Sequence, residues 1–226
     1  GFENVSIDVM SSLPGQDMHT FVDTLTKVSE LEPEHISVYC LQVEEGTPLF
    51  ERNDLRELIP DETADRNMYA MTKKVLAAAG YERYEISNYS RHGYESRHNQ
   101  VYWTGGQYIG LGLGASSYFM GERFSNITDL NNYTDICEDI REELTKDVDR
   151  VRLYDSATGI LRVNVETVQR ESRMEEFMYL GLRMTRGVSR VEFKNRFGRD
   201  IFEIYGETIN NNIYNIIDDL QKNLTD

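Results

Sequence analysis

The apolar residues at the start of the chain fall into short runs separated by helical patterns. Runs at 4–10, 35–41 and 81–87 are rich in β-branched or aromatic residues and predict three strands. Between them, two predicted helices begin after Asp17 and at residues 60–62. The apolar faces of these helices are formed by Phe21, Leu25, Val28, Leu31, Met68, Met71, Val75 and Leu76.

Strand, helix, strand, helix and strand in this order form a βα repeat, which predicts a parallel sheet with crossover helices. The predicted fold class is therefore α/β. A parallel sheet needs cover on both faces, and three strands are few for that arrangement. We expect the sequence to be a piece of a larger α/β barrel or sheet. The alternative is a small, complete three-layer α/β domain.

The pattern changes in the second half of the chain. Residues 88–127 are rich in Gly and Tyr and predict no long helix. The further predicted elements are a helix at 129–140, a hairpin at 151–165, and helices at 173–184, at 189–197 and from 200 onward. We expect a first domain at 1–140, a linker or hairpin insertion at 141–170, and a helical domain at 171–226.

Charge and cysteine content limit the possible partners. The chain of 226 residues has 24 Lys and Arg against 39 Asp and Glu, a net charge of −15. This balance argues against nucleic acid or an anionic membrane surface as partner. No apolar run approaches the roughly 20 residues that span a bilayer. Cys40 and Cys137 lie too far apart for a disulfide framework or a metal pair, which favours a cytoplasmic location.

Ligands of parallel sheets bind outside the carboxyl ends of the strands. Asp8 lies near the end of the first predicted strand, and Gln42 follows the second. Because the strand around Asp8 is apolar, we expect a buried carboxylate with hydrogen-bond partners. Those partners are either protein groups or the hydroxyl groups of a ligand, and the sequence leaves both interpretations open.

A second candidate is the segment Arg97-His98-Asn99-Gln100-Val101-Tyr102-Trp103, which contains the single Trp. Imidazole is a good iron ligand, and flanking aromatic rings can pack on a flat macrocycle. The alternative is a surface histidine beside two aromatic residues that fill the core.

The glycines of Gly110-Leu-Gly-Leu-Gly-Ala-Ser-Ser-Tyr118 allow close approach of the backbone to a ligand or to another segment. Their G-x-G-x-G spacing differs from the dinucleotide fingerprint. Packing against another segment is an equal alternative to ligand binding.

Taken together, these motifs resemble the oxygen-independent coproporphyrinogen III oxidase family of radical S-adenosylmethionine proteins, and within it the heme chaperone branch with its H-N-x-x-Y-W motif. The resemblance rests on residues 4–16, 35–39, 45–48, 79–88, 97–103, 110–118 and 175–183. It implies the C-terminal part of an incomplete (β/α) barrel, followed by a small, mainly helical domain. This domain stops before the family's final segment.

The resemblance also implies cofactors and their contacts. Asp8 matches the carboxylate that holds the ribose of S-adenosylmethionine, and Gln42 matches a position that touches its adenine. Gln100 and Ser116 match positions near the cofactors, although the family often has His where Ser116 stands. The family's C-x-x-x-C-x-x-C motif, which binds a [4Fe-4S] cluster, is absent from this sequence. We therefore expect no radical chemistry from this chain alone.

The chaperone branch implies heme binding and transfer. His98 matches its heme-associated histidine, the implied ligand of heme iron, with Tyr102 and Trp103 beside it. The expected partners are heme or a porphyrin, a heme-accepting protein, and a second copy of the chain that covers exposed strand edges. Two alternatives stay open: an oxidase that converts propionates to vinyl groups by oxidative decarboxylation, and a non-catalytic fragment or binding domain.

Overall fold

The computed structural model of the chain describes residues 1–144 and 161–222. These residues form two compact units. The first unit contains residues 1–100 and 182–187, and the second contains the remaining described residues.

The N-terminal part of the chain forms four strands and four helices. They are β1 (Ser6–Ser11), α1 (Met18–Glu30), β2 (His35–Cys40), α2 (Asn53–Arg56), α3 (Glu62–Ala78), β3 (Glu82–Arg83), β4 (Asn88–Ser90) and α4 (Arg97–Trp103). The described elements that follow are β5 (Ser116–Phe119), β6 (Glu122–Asn126), α5 (Leu130–Leu144), β7 (Arg162–Thr167), α6 (Arg170–Gly181), α7 (Arg190–Phe197) and α8 (Ile201–Lys222).

Helices α1 and α3 form where the sequence predicts them, and side chains cap both N-termini. Asp17 accepts a hydrogen bond from the Thr20 backbone N–H at 2.8 Å, and the Thr20 hydroxyl accepts one from the Asp17 N–H at 3.1 Å. At α3 the Asp61 side chain accepts a hydrogen bond from the Ala64 N–H. Both helices pack their apolar faces on β1 and β2 in one core. Its fully buried side chains include Phe21, Leu25, Ile36, Met68 and Leu76.

The first sheet has the strand order β1-β2-β4-β3, and only β1 and β2 are parallel. The prediction of a third parallel strand at 81–87 is wrong, because this segment forms only the short β3 and then turns into the antiparallel β4. The reason is Glu85, which is fully buried. Its carboxylate accepts hydrogen bonds from the Ser87 N–H at 2.7 Å and from Asn88 Nδ2 at 2.6 Å. This local pairing turns the chain.

The parallel pair of strands has one apolar face and one polar face. Val9 and Val38 are paired neighbours in the register and are buried against the helices. The opposite face carries the register pairs Ser6 with His35, Asp8 with Ser37 and Met10 with Tyr39. The polar face borders a cavity, so this sheet is apolar on one side only and differs from the predicted sheet with cover on both faces.

The second unit contains an antiparallel sheet with the strand order β5-β6-β7. Strand β7 overlaps the end of the predicted hairpin and pairs with β6. The rest of that hairpin, up to residue 160, lies outside the described residues. The predicted helices correspond to α5, α6, α7 and α8, and α8 runs as far as Lys222.

An aromatic cluster forms the core of the helical part of the second unit. Phe193 is fully buried, with its ring centroid 5.5 Å from that of Phe177 and 4.8 Å from that of Phe197. Helix α7 brings two of these rings inward, since it begins at the Ser189 cap and ends at Gly198 with φ of +69°. Across residues 1–144 and 161–222, no helix combines the length and apolarity that a membrane crossing demands.

Candidate functional site

A polar cavity of about 640 Å³ lies within the first unit, against the polar face of β1 and β2. The strands contribute Ser6, Asp8, His35, Ser37 and Tyr39 to its wall. The segment 93–97 and Asn99 close the other side, so the start of α4 faces the same cavity. A cavity of this size is in the usual range for a small-molecule site.

A chain of hydrogen bonds crosses the wall of this cavity. Ser6 Oγ lies 2.8 Å from His35 Nδ1, and His35 Nε2 lies 2.8 Å from the Tyr84 hydroxyl oxygen. The Ser96 N–H donates to the same oxygen at 3.3 Å. The chain therefore connects β1 and β2 to the residue that precedes α4. The sequence alone does not reveal this chain of hydrogen bonds, because His35 and Tyr84 lie 49 positions apart.

Burial keeps the histidine of this chain neutral. Desolvation lowers the pKa of His35, and the nearby negative charges of Asp8 and Glu85 offset only part of that effect. A neutral imidazole has one donor and one acceptor nitrogen, so both of its hydrogen bonds are satisfied. Desolvation also raises the pKa of Tyr84, which keeps the phenol protonated.

Asp8 differs from the expectation of a buried carboxylate, because it is exposed to the cavity. The alternation of β1 explains the difference: the apolar neighbours Ile7 and Val9 point to the helices, and Asp8 points away from them. Its oxygens can accept hydrogen bonds from a ligand, and the Ser6 and Ser37 hydroxyls stand on the same face. This set of groups fits a ligand rich in hydroxyl groups, such as a ribose.

The other residues predicted to contact S-adenosylmethionine are more scattered. Gln42 is exposed just beyond β2, and Gln100 is half-buried on α4; neither is among the described residues that line the cavity. Ser116 is exposed at the start of β5 in the second unit, with its Oγ 3.2 Å from Ser125 Oγ. The structure therefore brings Asp8, but not the two glutamines, to the cavity wall.

The predicted heme residues all lie on α4. His98 is exposed, whereas Tyr102 and Trp103 are half-buried. The Tyr102 ring packs edge-on against the Tyr108 ring, with centroids 4.6 Å apart. The two tyrosine rings are therefore partly used in packing. The His98 imidazole is positioned at the surface, where a ligand can reach it.

The cysteines do not fit an iron–sulfur cluster. A [4Fe-4S] cluster requires several thiolates, and the chain has only Cys40 and Cys137. Burial raises the pKa of Cys40, which favours the unreactive thiol. Within the described ranges, no group of three or more His, Cys, Asp and Glu side chains is placed to hold a metal ion.

The glycine run is explained by packing. A Cβ atom on Gly110 would lie 2.3 Å from the Ser116 carbonyl oxygen, so no other residue fits there without a shift of the backbone. The Gly110 N–H also donates to Ser117 Oγ at 3.0 Å. These contacts hold the run against β5, which favours the structural alternative at this glycine.

Comparison with known proteins gives consistent results. The HemN C-terminal domain family matches residues 168–216. The chain is 34% identical to the heme chaperone HemW of Lactococcus lactis, over 92% of this chain and 50% of the relative. It is 35% identical to the heme chaperone HemW of Bacillus subtilis, over 89% of this chain and 48% of the relative. The chain thus spans about half the length of the curated relatives it matches.

A solved structure shares the fold. It is described as "Coproporphyrinogen III oxidase (HemN) from Escherichia coli is a Radical SAM enzyme", and it aligns with a TM-score of 0.69 at 16% identity. The alignment covers 93% of this chain and 47% of the other. This likeness confirms the predicted fold class, the C-terminal part of a radical S-adenosylmethionine fold. The chain is therefore similar to the HemN and HemW family of radical S-adenosylmethionine proteins: residues 168–216 match its HemN C-terminal domain, and most of the chain is similar to heme chaperones named HemW.

Proposed function

We propose that the protein binds heme and passes it to an acceptor protein, with His98 as an axial ligand of the heme iron. The observation that carries this proposal is the exposed position of His98 on α4. Neutral imidazole is a common iron ligand, and a surface position allows heme to enter and leave. The relatives named heme chaperones support the same function.

The contrast with His35 strengthens this choice. Both nitrogens of His35 are hydrogen-bonded inside the protein, to Ser6 and to Tyr84, so a metal would have to break a buried network. His98, in contrast, is exposed at the surface. His98 is therefore the better candidate for binding iron.

A second part of the proposal concerns S-adenosylmethionine. Asp8 would accept hydrogen bonds from its ribose in the polar cavity of the first unit. The contacts that the family resemblance implies for Gln42, Gln100 and Ser116 stay predictions. When bound at a reduced [4Fe-4S] cluster, this cofactor supplies radical chemistry. The thiolates for such a cluster are not in this sequence, so this chain alone contributes the orientation of the cofactor and not its cleavage.

The heme proposal is tested by titration with hemin. We compare the wild type, His98→Ala and the matched control His92→Ala, which removes another exposed imidazole from the first unit. Loss of the iron–imidazole bond should weaken binding at least tenfold and shift the Soret band in His98→Ala alone. Equal affinities and equal spectra for all three proteins would remove His98 from the site.

The alternative function is oxidation of coproporphyrinogen, which the structural neighbour's title names for that protein. Anaerobic incubation of the full-length protein, with its cluster assembled, should leave coproporphyrinogen III unchanged if the chaperone proposal holds. Conversion of its propionates to vinyl groups would favour the oxidase.

We further propose a cytoplasmic location and a homodimer in which a second copy covers the edge of β1, which ends the first sheet on one side. The domain boundaries expected at 140 and 170 stay predictions.

A further inference from the structure

A second cavity, of about 450 Å³, lies entirely within the second unit. Its walls come from residues 105–107, the β5–β6 hairpin, α6 and α7. Phe177 and Phe197 contribute apolar surface, while Arg173, Glu176 and Arg196 contribute charge. The cavity thus combines aromatic surface with cations, although the whole chain has a net charge of −15.

Some of the charged side chains that line this cavity have hydrogen-bond or ion-pair partners in the protein. Glu176 is neutralised by Arg123, whose Nη2 lies 2.9 Å from the carboxylate. Arg196 donates to the Thr104 carbonyl oxygen at 2.7 Å and to Glu192 at 2.8 Å.

Arg173 differs from these residues. Its guanidinium makes no hydrogen bond or ion pair with any described side chain or backbone group, and it lines the cavity. Among the residues that the structure describes, the cavity therefore presents one planar cation without a protein partner, and a guanidinium is the group that best matches a carboxylate.

The rim of the cavity has an unusual hairpin turn. Strands β5 and β6 are joined by two residues, Met120 and Gly121, with φ of +51° and +83°. Positive φ at both positions is typical of a type I′ turn, in which the first position favours Asn, Asp or Gly. A methionine is strained at this position, and its side chain is 79% exposed. The positive φ is unfavourable for folding, and the exposed thioether is accessible at the rim, so the two features together point to a use of this side chain.

We propose that this cavity receives the carboxylate edge of heme, with Arg173 pairing with a propionate and the Met120 side chain packing on the apolar ring. This inference rests on the proposed heme-binding function and adds a site to it. A ligand with an apolar aromatic body and carboxylate arms matches a cavity lined by an exposed thioether and by a guanidinium that has no partner among the described residues. A Cβ atom on Gly105 would lie 3.2 Å from Arg196 Nη1, so the glycine lets this guanidinium pack against the backbone at the cavity wall.

Two ligands and two variants test the pairing. Hemin and hemin dimethyl ester have the same ring and iron, but the ester lacks the carboxylates. Loss of one charge-assisted hydrogen bond predicts about tenfold weaker hemin binding by Arg173→Gln and no change for the ester. The control Arg199→Gln removes an exposed cation of the same unit whose partner is Glu203, and it should bind both ligands like the wild type.

The outcomes separate this site from the general function. If hemin binds the wild type and Arg173→Gln equally, the cavity proposal is wrong, while heme binding by the protein stands. If the wild type binds neither ligand, both proposals are wrong. If Arg173→Gln weakens hemin and its ester alike, the residue acts on folding and not on the propionate, which also overturns the proposal.

A variant of Met120 gives an independent test. Met120→Asn replaces a strained residue by one that suits the turn, so the melting temperature should rise while the affinity for hemin falls. A residue kept only for structure cannot produce opposite changes in these two measurements. Unchanged affinity for both ligands would remove Met120 from the site.

Discussion

The link between the first sheet and α4 depends on a single hydroxyl group, that of Tyr84. This side chain is 8% exposed, and its oxygen lies 2.8 Å from His35 Nε2 and 3.3 Å from the Ser96 nitrogen. The substitution Tyr84→Phe removes this oxygen and keeps the ring. It therefore tests the hydrogen bonds with little change in packing.

The expected loss of stability follows from the two bonds. The short bond to His35 is buried, and its loss leaves a ring nitrogen without a partner, at a cost of about 1–3 kcal/mol. The bond from Ser96 is long, and the half-buried N–H can find water, so its loss adds about 0.5 kcal/mol or less. We expect the free energy of unfolding to fall by about 2 kcal/mol.

Urea unfolding followed by circular dichroism measures this change at pH 7.5. The midpoint should fall while the slope stays the same, because the surface exposed on unfolding hardly changes. The control is Tyr94→Phe, which removes an exposed hydroxyl at the same cavity and should change the free energy by less than about 0.5 kcal/mol. A loss below about 0.5 kcal/mol for Tyr84→Phe would refute the assigned role of the hydroxyl.

Two further predictions concern stability. Phe193→Ala removes a fully buried ring from the aromatic cluster and should lower the free energy of unfolding of the second unit by about 3–5 kcal/mol, measured by urea unfolding. The control Phe202→Ala removes an exposed ring and should lower it far less. Equal losses for the two variants would contradict the described core. Because burial lowers the pKa of His35 below 6.5, the unfolded chain binds its proton first as pH falls, so the free energy of unfolding should decrease as pH falls below about 6.5. His35→Gln should lack that part of the pH dependence, and an unchanged profile would show that another group causes it.

The sequence was a good guide where local signals decide the structure. The caps at Asp17 and Asp61 and the helical spacing of Phe21 and Leu25 are local features, and the predicted helices formed accordingly. The prediction of a third parallel strand was wrong because the conformation of this segment depends on Glu85. The sequence pattern cannot distinguish a carboxylate that bonds residues two and three positions further along from a carboxylate at the end of a strand.

The candidate site was only partly predictable. The residues around Asp8 left both a protein and a ligand partner open, and its apolar neighbours suggested burial. The alternation of β1 instead points Asp8 away from the helices and leaves it exposed. The chain from Ser6 through His35 to Tyr84 joins three distant segments, and no spacing rule reveals such a contact. The cavity around Arg173 could not be predicted from the sequence either, because its walls come from four separate parts of the chain.

The alternation along β1 separates residues under selection for folding from residues under selection for ligand binding. Residues at odd positions, such as Val9 and Ser11, face the helices, whereas Ser6, Asp8 and Met10 face away from them. A mutational scan of this strand should therefore show a period of two, with abundance sensitive at odd positions and ligand binding sensitive at even ones. During evolution, single substitutions at the even positions of β1 can therefore change ligand binding while the odd positions maintain the folded core.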